Sequence, residues 1–407
     1  MITRRSVLIG TVGVLAAPAI LRAQTNTIKI GHLAPLTGAI SAVGRYASMG
    51  ATVAAEKINA AGGILGREVQ LIIEDSVNPA TASNKAERMV NIDKVDFLQG
   101  ESSSPSAVAI MQVAERSQKI FMHTGGNSDK LRGEQCNRVT FHCDAMNTMY
   151  VNTMARSMLR DGRVTGKKWY MLTADYAFGH DLTRVVRRFG DANGANFIGE
   201  DLVPLDVADF SPYLLKVRQA QPDVVIINLS GLQVTNFIKQ YYDLGLEFPL
   251  AGASTDIALA WAAGRENFSG EWPVIWLHTL DNPASKAFTA AFMAKYNEPP
   301  ENQAWSDYVG LTALAQACNE TKSIETVRLI EYFEKGATFE SLKSRPSYFR
   351  SWDHQIMTEM FMMKPIAADA KADKWNWLTV GPPLPNADQP LEILAPTAEE
   401  NACHFKV

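Results

Sequence analysis

Thr27-Ile28-Lys29-Ile30-Gly31 starts a segment that continues through Pro35-Leu36-Thr37-Gly38 to Gly62-Gly63, then Val69-Gln70-Leu71-Ile72-Ile73 and Asp75. The first five residues predict a short strand, and the Pro/Gly cluster after it predicts a loop. Between Gly44 and Ala60, the positions Ala47, Ala51, Ala54, Ala55 and Ile58 recur at helical spacing. Gly62-Gly63 tolerates left-handed backbone and ends that helix. The β-branched run Val69 to Ile73 is the next strand, with Asp75 at its carboxyl end. One strand–helix–strand unit is therefore legible.

The same alternation continues. Ala80 to Val90 predicts a helix, Asp96 to Leu98 a strand and Pro105 to Gln118 a helix. It restarts at Lys168-Trp169-Tyr170-Met171-Leu172, followed by a helix over Asp181 to Ala192 and a strand at Asn196 to Ile198. Ser211 is expected to cap a helix with Pro212 at its first position. Asp223 to Ile227 reads as a buried strand, Gly231 to Asp243 as a helix and Pro249 to Gly252 as a strand. Further helices are expected at Lys286 to Tyr296 and Asp307 to Cys318. Strands alternating with helices predict an α/β fold of two doubly wound, Rossmann-like lobes, each a parallel sheet covered on both faces. Met357, Met360, Met362 and Met363 lie in an expected strand, where core packing is favoured over a methionine-lined ligand surface.

Length and composition agree with two lobes. The chain has 407 residues, 46% hydrophobic and 20% charged, more than one core usually holds. The N-terminus carries Thr3-Arg4-Arg5-Ser6-Val7-Leu8, an apolar run to Leu15, and small residues up to Ala23. This is the layout of a twin-arginine-like signal peptide spanning 1–23, cut after Ala23, and it predicts a periplasmic protein. Cleavage there would remove three arginines and no acid, taking the net charge from −4 to −7. No basic face is concentrated anywhere, so nucleic acid is not expected as a partner. The four cysteines form no C-x-x-C. Cys136 and Cys143 are close enough in sequence to bridge a short loop, with a pair of buried free thiols as the alternative.

Catalytic signatures are missing: there is no G-x-S-x-G, H-E-x-x-H, P-loop or helix-opening G-x-G-x-x-G. His32, His123 and His142 have no metal-ligand spacing, and neither a cofactor nor a metal is expected. The binding signal is Gly100-Glu101-Ser102-Ser103-Ser104-Pro105, between a strand and a helix. Ser104 is expected to cap that helix, whose free N–H groups and dipole would seat an anion such as a carboxylate. Two further loops follow strands, His123-Thr124-Gly125-Gly126-Asn127 and Asp175-Tyr176-Ala177-Phe178-Gly179, and Tyr176 and Phe178 would wall a pocket there.

Together these blocks resemble the type I periplasmic binding proteins of the leucine/isoleucine/valine class, the solute receptors of ATP-driven importers. The resemblance runs from about Ile28 to Phe361. It rests on Gly31-x-x-x-Pro35-x-x-Gly38, on Ile58 to Arg67 with Asp75, and on Gly100 to Ser104, Asp175 to Gly179, Asp209-Phe210-Ser211 and Pro222 to Val225. It implies that the ligand carboxylate is held by Ser104, with Ser103 beside it, and by Gly125 and Asn127. It implies that Phe178 closes over the ligand. The position often held by tyrosine is Ser230, and the usual acidic partner of a ligand ammonium falls at Ser254, two residues before Asp256. The implied lobes are 27–143 with 272–348 and 147–270 with 352–390, and 391–407 is a tail without counterpart. The implied partners are a small solute and an inner-membrane permease, and the protein is expected to act as a monomer. Rival expectations are a sensor subunit with the same pocket, a receptor for a non-amino-acid solute such as urea, a short amide or an aromatic acid, and an exported enzyme using His123 beside Ser102 to Ser104.

Overall fold

The computed structural model describes residues 27–367 and 369–405; the expected signal peptide lies outside them. The first layer runs β1 (Ile28–Ala34), α1 (Ser41–Ala60), β2 (Val69–Asp75), α2 (Pro79–Arg88), β3 (Phe97–Gly100), α3 (Ser104–Ser117), β4 (Phe121–His123) and β5 (Thr140–His142). Its five strands are parallel in the order β2-β1-β3-β4-β5. The second layer runs α4 (Asn147–Arg160), β6 (Lys168–Ala174), α5 (Ala177–Ala192), β7 (Asn196–Val203), α6 (Ser211–Ala220), β8 (Val224–Asn228), α7 (Leu232–Asp243), β9 (Leu250–Gly252) and α8 (Ile257–Ala263). Its strands are parallel in the order β7-β6-β8-β9. Both sheets are thus doubly wound, as the alternation predicts. Each reverses winding direction beside its first strand, where ligands of open α/β sheets lodge.

The chain continues as β10 (Trp272–Val274), α9 (Pro283–Tyr296), α10 (Asn302–Thr321), α11 (Thr326–Glu334), β11 (Thr338–Phe339), β12 (Ser347–Phe349), β13 (Ile356–Met357), β14 (Phe361–Pro365) and β15 (Leu378–Val380). The expected lobe limits shift here. Trp272 packs its ring against Gly252 of β9, so β10 sits with the second sheet rather than the first. Gln355 bridges to His142 of β5, so the 347–357 hairpin stays with the first. Met357, Met360 and Met363 are fully buried core residues.

Helices α1 and α10 pack closely, and the contact depends on Gly50. A Cβ there would lie 2.1 Å from the Ala304 carbonyl oxygen. Backbone cannot yield as a side-chain tip can, so Gly50→Ala should destabilise the protein by about 1–3 kcal/mol. Chemical denaturation reads this directly; an unchanged midpoint would mean the helices are not held at this distance.

Two local expectations are corrected. Ser211 does not cap α6: the Phe210 position precedes that helix without a side-chain cap, and the Ser211 N–H donates to Asp209 Oδ1 at 3.0 Å. Cys136 pairs with Cys403, not Cys143, across 267 residues, while Cys143 and Cys318 are buried free thiols. The tail is integrated: Leu391–Leu394 packs on α4, and Asn152 Nδ2 donates to the Leu394 carbonyl at 2.8 Å.

Candidate functional site

A narrow cavity, partly open to solvent, lies between the carboxyl ends of the two sheets. Ile40 and Val43 follow β1, Ser102 follows β3, and Gly125 and Asn127 follow β4. From the second sheet come Tyr176 and Phe178 after β6, Leu229 to Gly231 after β8, and Ser254 to Asp256 after β9. Parallel strands present all their carboxyl ends on one edge, which is why loops so distant in sequence converge. The expected residues Gly125, Asn127, Tyr176, Phe178, Ser230, Ser254 and Asp256 therefore meet around one space.

Ser103 and Ser104 stand outside it, and Ser102 takes their place. The cause is the turn before α3. Glu101 adopts a left-handed φ of 75° and turns its carboxylate back to accept the Ser103 N–H at 2.6 Å. The seat expected for a ligand anion at that helix start is thus partly taken by the chain's own carboxyl. Burial pushes the Glu101 carboxyl up to about 7. Ser104 lies inside the first turn of α3, buried, and makes no capping bond; its Oγ accepts the Ser128 N–H at 3.4 Å. Ser102 Oγ is buried, lines the cavity and has no hydrogen-bond partner among the described residues.

The β4 loop supplies the remaining donors through its backbone. The N–H groups of Gly125 and Asn127 donate to no protein group among the described residues. Gly125 is required by space, because a Cβ would lie 2.6 Å from Ser102 Cα. The Asn127 side chain does not face a ligand as the resemblance implies: its Nδ2 donates to the Ala145 carbonyl at 2.7 Å, fastening the loop. Gln303 of α10, which sequence reasoning missed, also reaches the cavity. Its Nε2 donates to the Thr124 carbonyl at 2.6 Å, bracing the same loop. No local pattern marks Gln303, since α10 arrives from 179 residues further along.

The second sheet's wall is aromatic and acidic. Tyr176 Oη hydrogen-bonds Ser230 Oγ at 3.0 Å, and the Tyr176 and Phe178 rings lie 5.8 Å apart. Asp256 Oδ1 accepts from Asn302 Nδ2 at 2.9 Å, and no cation pairs with it among the described residues. Burial raises its carboxyl above the usual range, against the Asn302 hydrogen bond. Ser254 stands beside it on the same wall, so the acid that lines the cavity lies two residues beyond the position the resemblance implies.

The two layers touch across the cavity mouth. The Leu232 N–H donates to the Ala39 carbonyl at 3.1 Å, and Gly231 beside it leaves no room for a Cβ, which would fall 2.4 Å from that oxygen. Elsewhere, Arg184 Nη2 reaches Asp129 Oδ2 at 3.0 Å and Asp181 Oδ1 at 2.9 Å. His123, weighed as a catalytic base, is engaged inside the fold. Its Nε2 accepts the Gly126 N–H at 3.0 Å, and its Nδ1 meets His142 Nδ1 at 2.9 Å. Burial, and then the charge of Arg132, hold it well below the normal histidine range.

Two doubly wound layers, with a donor-lined and acid-lined cleft between their switch points, define a two-lobed receptor for a small solute. Comparison with known proteins gives the family. Residues 27–371 match the periplasmic binding protein family, and the chain belongs to it. A Leu/Ile/Val-binding protein homolog 7 from Brucella melitensis is 26% identical over 326 residues, covering 76% of this chain and 80% of the relative. A periplasmic binding protein from Burkholderia mallei superimposes with a TM-score of 0.85 at 23% identity, covering 94% and 99% of the two chains. A branched-chain amino acid transporter substrate binding protein from Streptococcus pneumoniae, in complex with isoleucine, gives 0.75 at 20% identity, covering 87% and 99%. A Rhodopseudomonas palustris solute binding protein in complex with 3,4-dihydroxybenzoic acid gives 0.76 at 21%, covering 84% and 94%. Among the described residues, no helix is long and apolar enough to cross a membrane.

Proposed function

We propose that the chain is the exported substrate-binding component of an ABC importer, and that it captures a small aliphatic amino acid in the cleft. Its carboxylate is taken by the Ser102 hydroxyl and the free N–H groups of Gly125 and Asn127, and its ammonium by Asp256. The observation that carries this reading is the carboxyl of Asp256 on the cavity wall, which no cation pairs among the described residues. A buried carboxylate with no counter-charge is costly, so the ligand is expected to supply one. Ile40, Val43, Val234 and Leu259 offer apolar surface to a branched side chain. The names of the Brucella and Streptococcus relatives fit a branched-chain amino acid.

Closure follows from a hinge motion of the two lobes over bound solute, with the 39–232 and 129–184 contacts formed as they meet. The closed form then docks on a membrane permease as a monomer, after signal cleavage behind Ala23. No covalent step is involved; both His123 ring nitrogens are already used. A periplasmic sensor would share this pocket and differ only in its partner, which co-purification would identify.

A thermal-shift panel tests the reading, with leucine, isoleucine, valine, 4-methylpentanoate, simple amides, urea and aromatic carboxylates. A ligand at roughly 100-fold excess over its Kd stabilises by about 2.7 kcal/mol. Amino acids should shift the midpoint much further than 4-methylpentanoate, which binds only weakly. A shift by aromatic acids alone would transfer the Tyr176–Phe178 wall to an aromatic ligand and defeat the amine assignment. Ser102→Ala should weaken any carboxylate that binds by about 1–3 kcal/mol, whereas Ser104→Ala should leave its affinity unchanged.

A further inference from the structure

Asp256 is not alone behind the cavity wall. Glu301 precedes α10 next to Asn302, the residue whose side chain bonds Asp256. Glu301 is fully buried. Its Oε1 accepts the N–H groups of Gln303 at 2.7 Å and Ala304 at 3.2 Å, and its Oε2 has no partner among the described residues. Asn302, the chain neighbour of Glu301, joins α10 to α8: its Nδ2 donates to Asp256 and its Oδ1 accepts the Ile257 N–H at 3.0 Å.

The titratable groups that act most strongly on this pair are tyrosines and another acid. Tyr176 and Tyr150 face Asp256; Tyr150, Tyr46 and Asp144 face Glu301. Among the described residues no lysine, arginine or histidine forms an ion pair or hydrogen bond with either acid. Two carboxyls that interact in a dry space do not both ionise readily, and a pair of this kind titrates as a unit.

We propose that Asp256 and Glu301 together hold one proton in the unliganded cleft and release it to solvent when a ligand ammonium enters. Glu301, without touching the ligand, thereby sets how strongly the site selects amines over isosteres that lack one. The inference rests on the amino-acid reading above and adds to it a second acid and a proton balance. The ligand arrives as the zwitterion, its ammonium replaces the shared proton, and the leaving proton passes to the buffer, so charge is conserved at the site.

The direction of the pH effect follows. Burial raises Asp256; burial first and then Asp256 raise Glu301. Groups raised in this way are protonated in the empty site at low pH, and the ligand must displace that proton. Affinity for an amine should therefore fall with decreasing pH, by at most tenfold per pH unit for one proton. It should level off at high pH, where the empty pair is already ionised.

The experiment is calorimetric titration of the mature wild-type protein with leucine, in buffers of different ionisation enthalpy, from pH 5.5 to 8.5. The expected result is release approaching one proton at the acidic end and none at the alkaline end. Glu301→Gln keeps an acceptor for the Gln303 and Ala304 N–H groups, so the variant should fold. It should still bind leucine, with less proton released than from the wild type and a shallower pH profile, because burial alone still raises Asp256. Leucine binding without proton release in the wild type would overturn the inference and leave the amino-acid reading standing. Equal proton release from wild type and Glu301→Gln would also overturn it, since the proton would come from elsewhere. If leucine, isoleucine and valine all fail to bind, the amino-acid reading falls and the proton pair with it. Should Glu301→Gln not fold, wild-type proton counting decides alone: a proton released on binding leucine but not on binding 4-methylpentanoate supports the exchange, and equal counts refute it.

Discussion

Asp256→Asn is expected to weaken leucine binding by about 2–5 kcal/mol, roughly thirty-fold to several thousand-fold in Kd. The carboxyl lies on the cavity wall with one hydrogen bond from Asn302 and no cation. A ligand ammonium brought there would lose its hydration, and only the charge of Asp256 offsets that loss. Asparagine has nearly the same shape and leaves the buried ammonium without a counter-charge. The same substitution should not weaken 4-methylpentanoate, and selectivity between the two ligands should collapse. Calorimetry on both ligands decides the matter. A leucine affinity preserved within twofold would move the ammonium away from the second sheet's wall and leave the acid as a structural group of α8.

Loss of the Cys136–Cys403 bridge is expected to destabilise the protein by about 2–5 kcal/mol. The bridge closes 267 residues of chain and so removes much freedom from the unfolded ensemble; the entropic account is one model among those offered for this effect. Cys403→Ser should lower the denaturant midpoint, and reductant should bring the wild type down to the same value. Thiol titration under denaturing conditions should count two thiols before reduction and four after, since the remaining cysteines, Cys143 and Cys318, are free. Ligand affinity should change less than twofold, because neither bridged residue lines the cavity. A wild type whose unfolding ignores reductant would show that the bridge does not form in the exported protein, where an oxidising compartment favours it.

The site shows why some of its residues were legible and others were not. Gly125, Tyr176 and Phe178 sit in loops that directly follow predicted strands, so locating the strands located them. Ser254 and Asp256 were both candidates: the family resemblance put the acidic position at Ser254 with Asp256 two residues on, and only the course of the loop after β9 brings the Asp256 carboxyl to the wall. Ser102 displaced Ser104 because Glu101 enters a left-handed turn and uses up a donor at the start of α3. That conformation is unusual for a glutamate, and no propensity announces it.

The sequence by itself determined the strand–helix alternation, the two doubly wound layers, the strand-end loops that meet at the cleft and the family. All but the family follow from periodicity and turn chemistry, which act over a few residues and recur along the chain; the family showed as a resemblance carried by several motifs in order. Tertiary structure alone decided that Cys136 meets Cys403, that Gln303 braces the β4 loop and that Glu301 stands behind Asp256. Each depends on elements more than forty residues apart, brought together by packing of whole helices and layers. Side chains at such contacts are chosen by the neighbour they meet, and the local sequence carries no record of that neighbour.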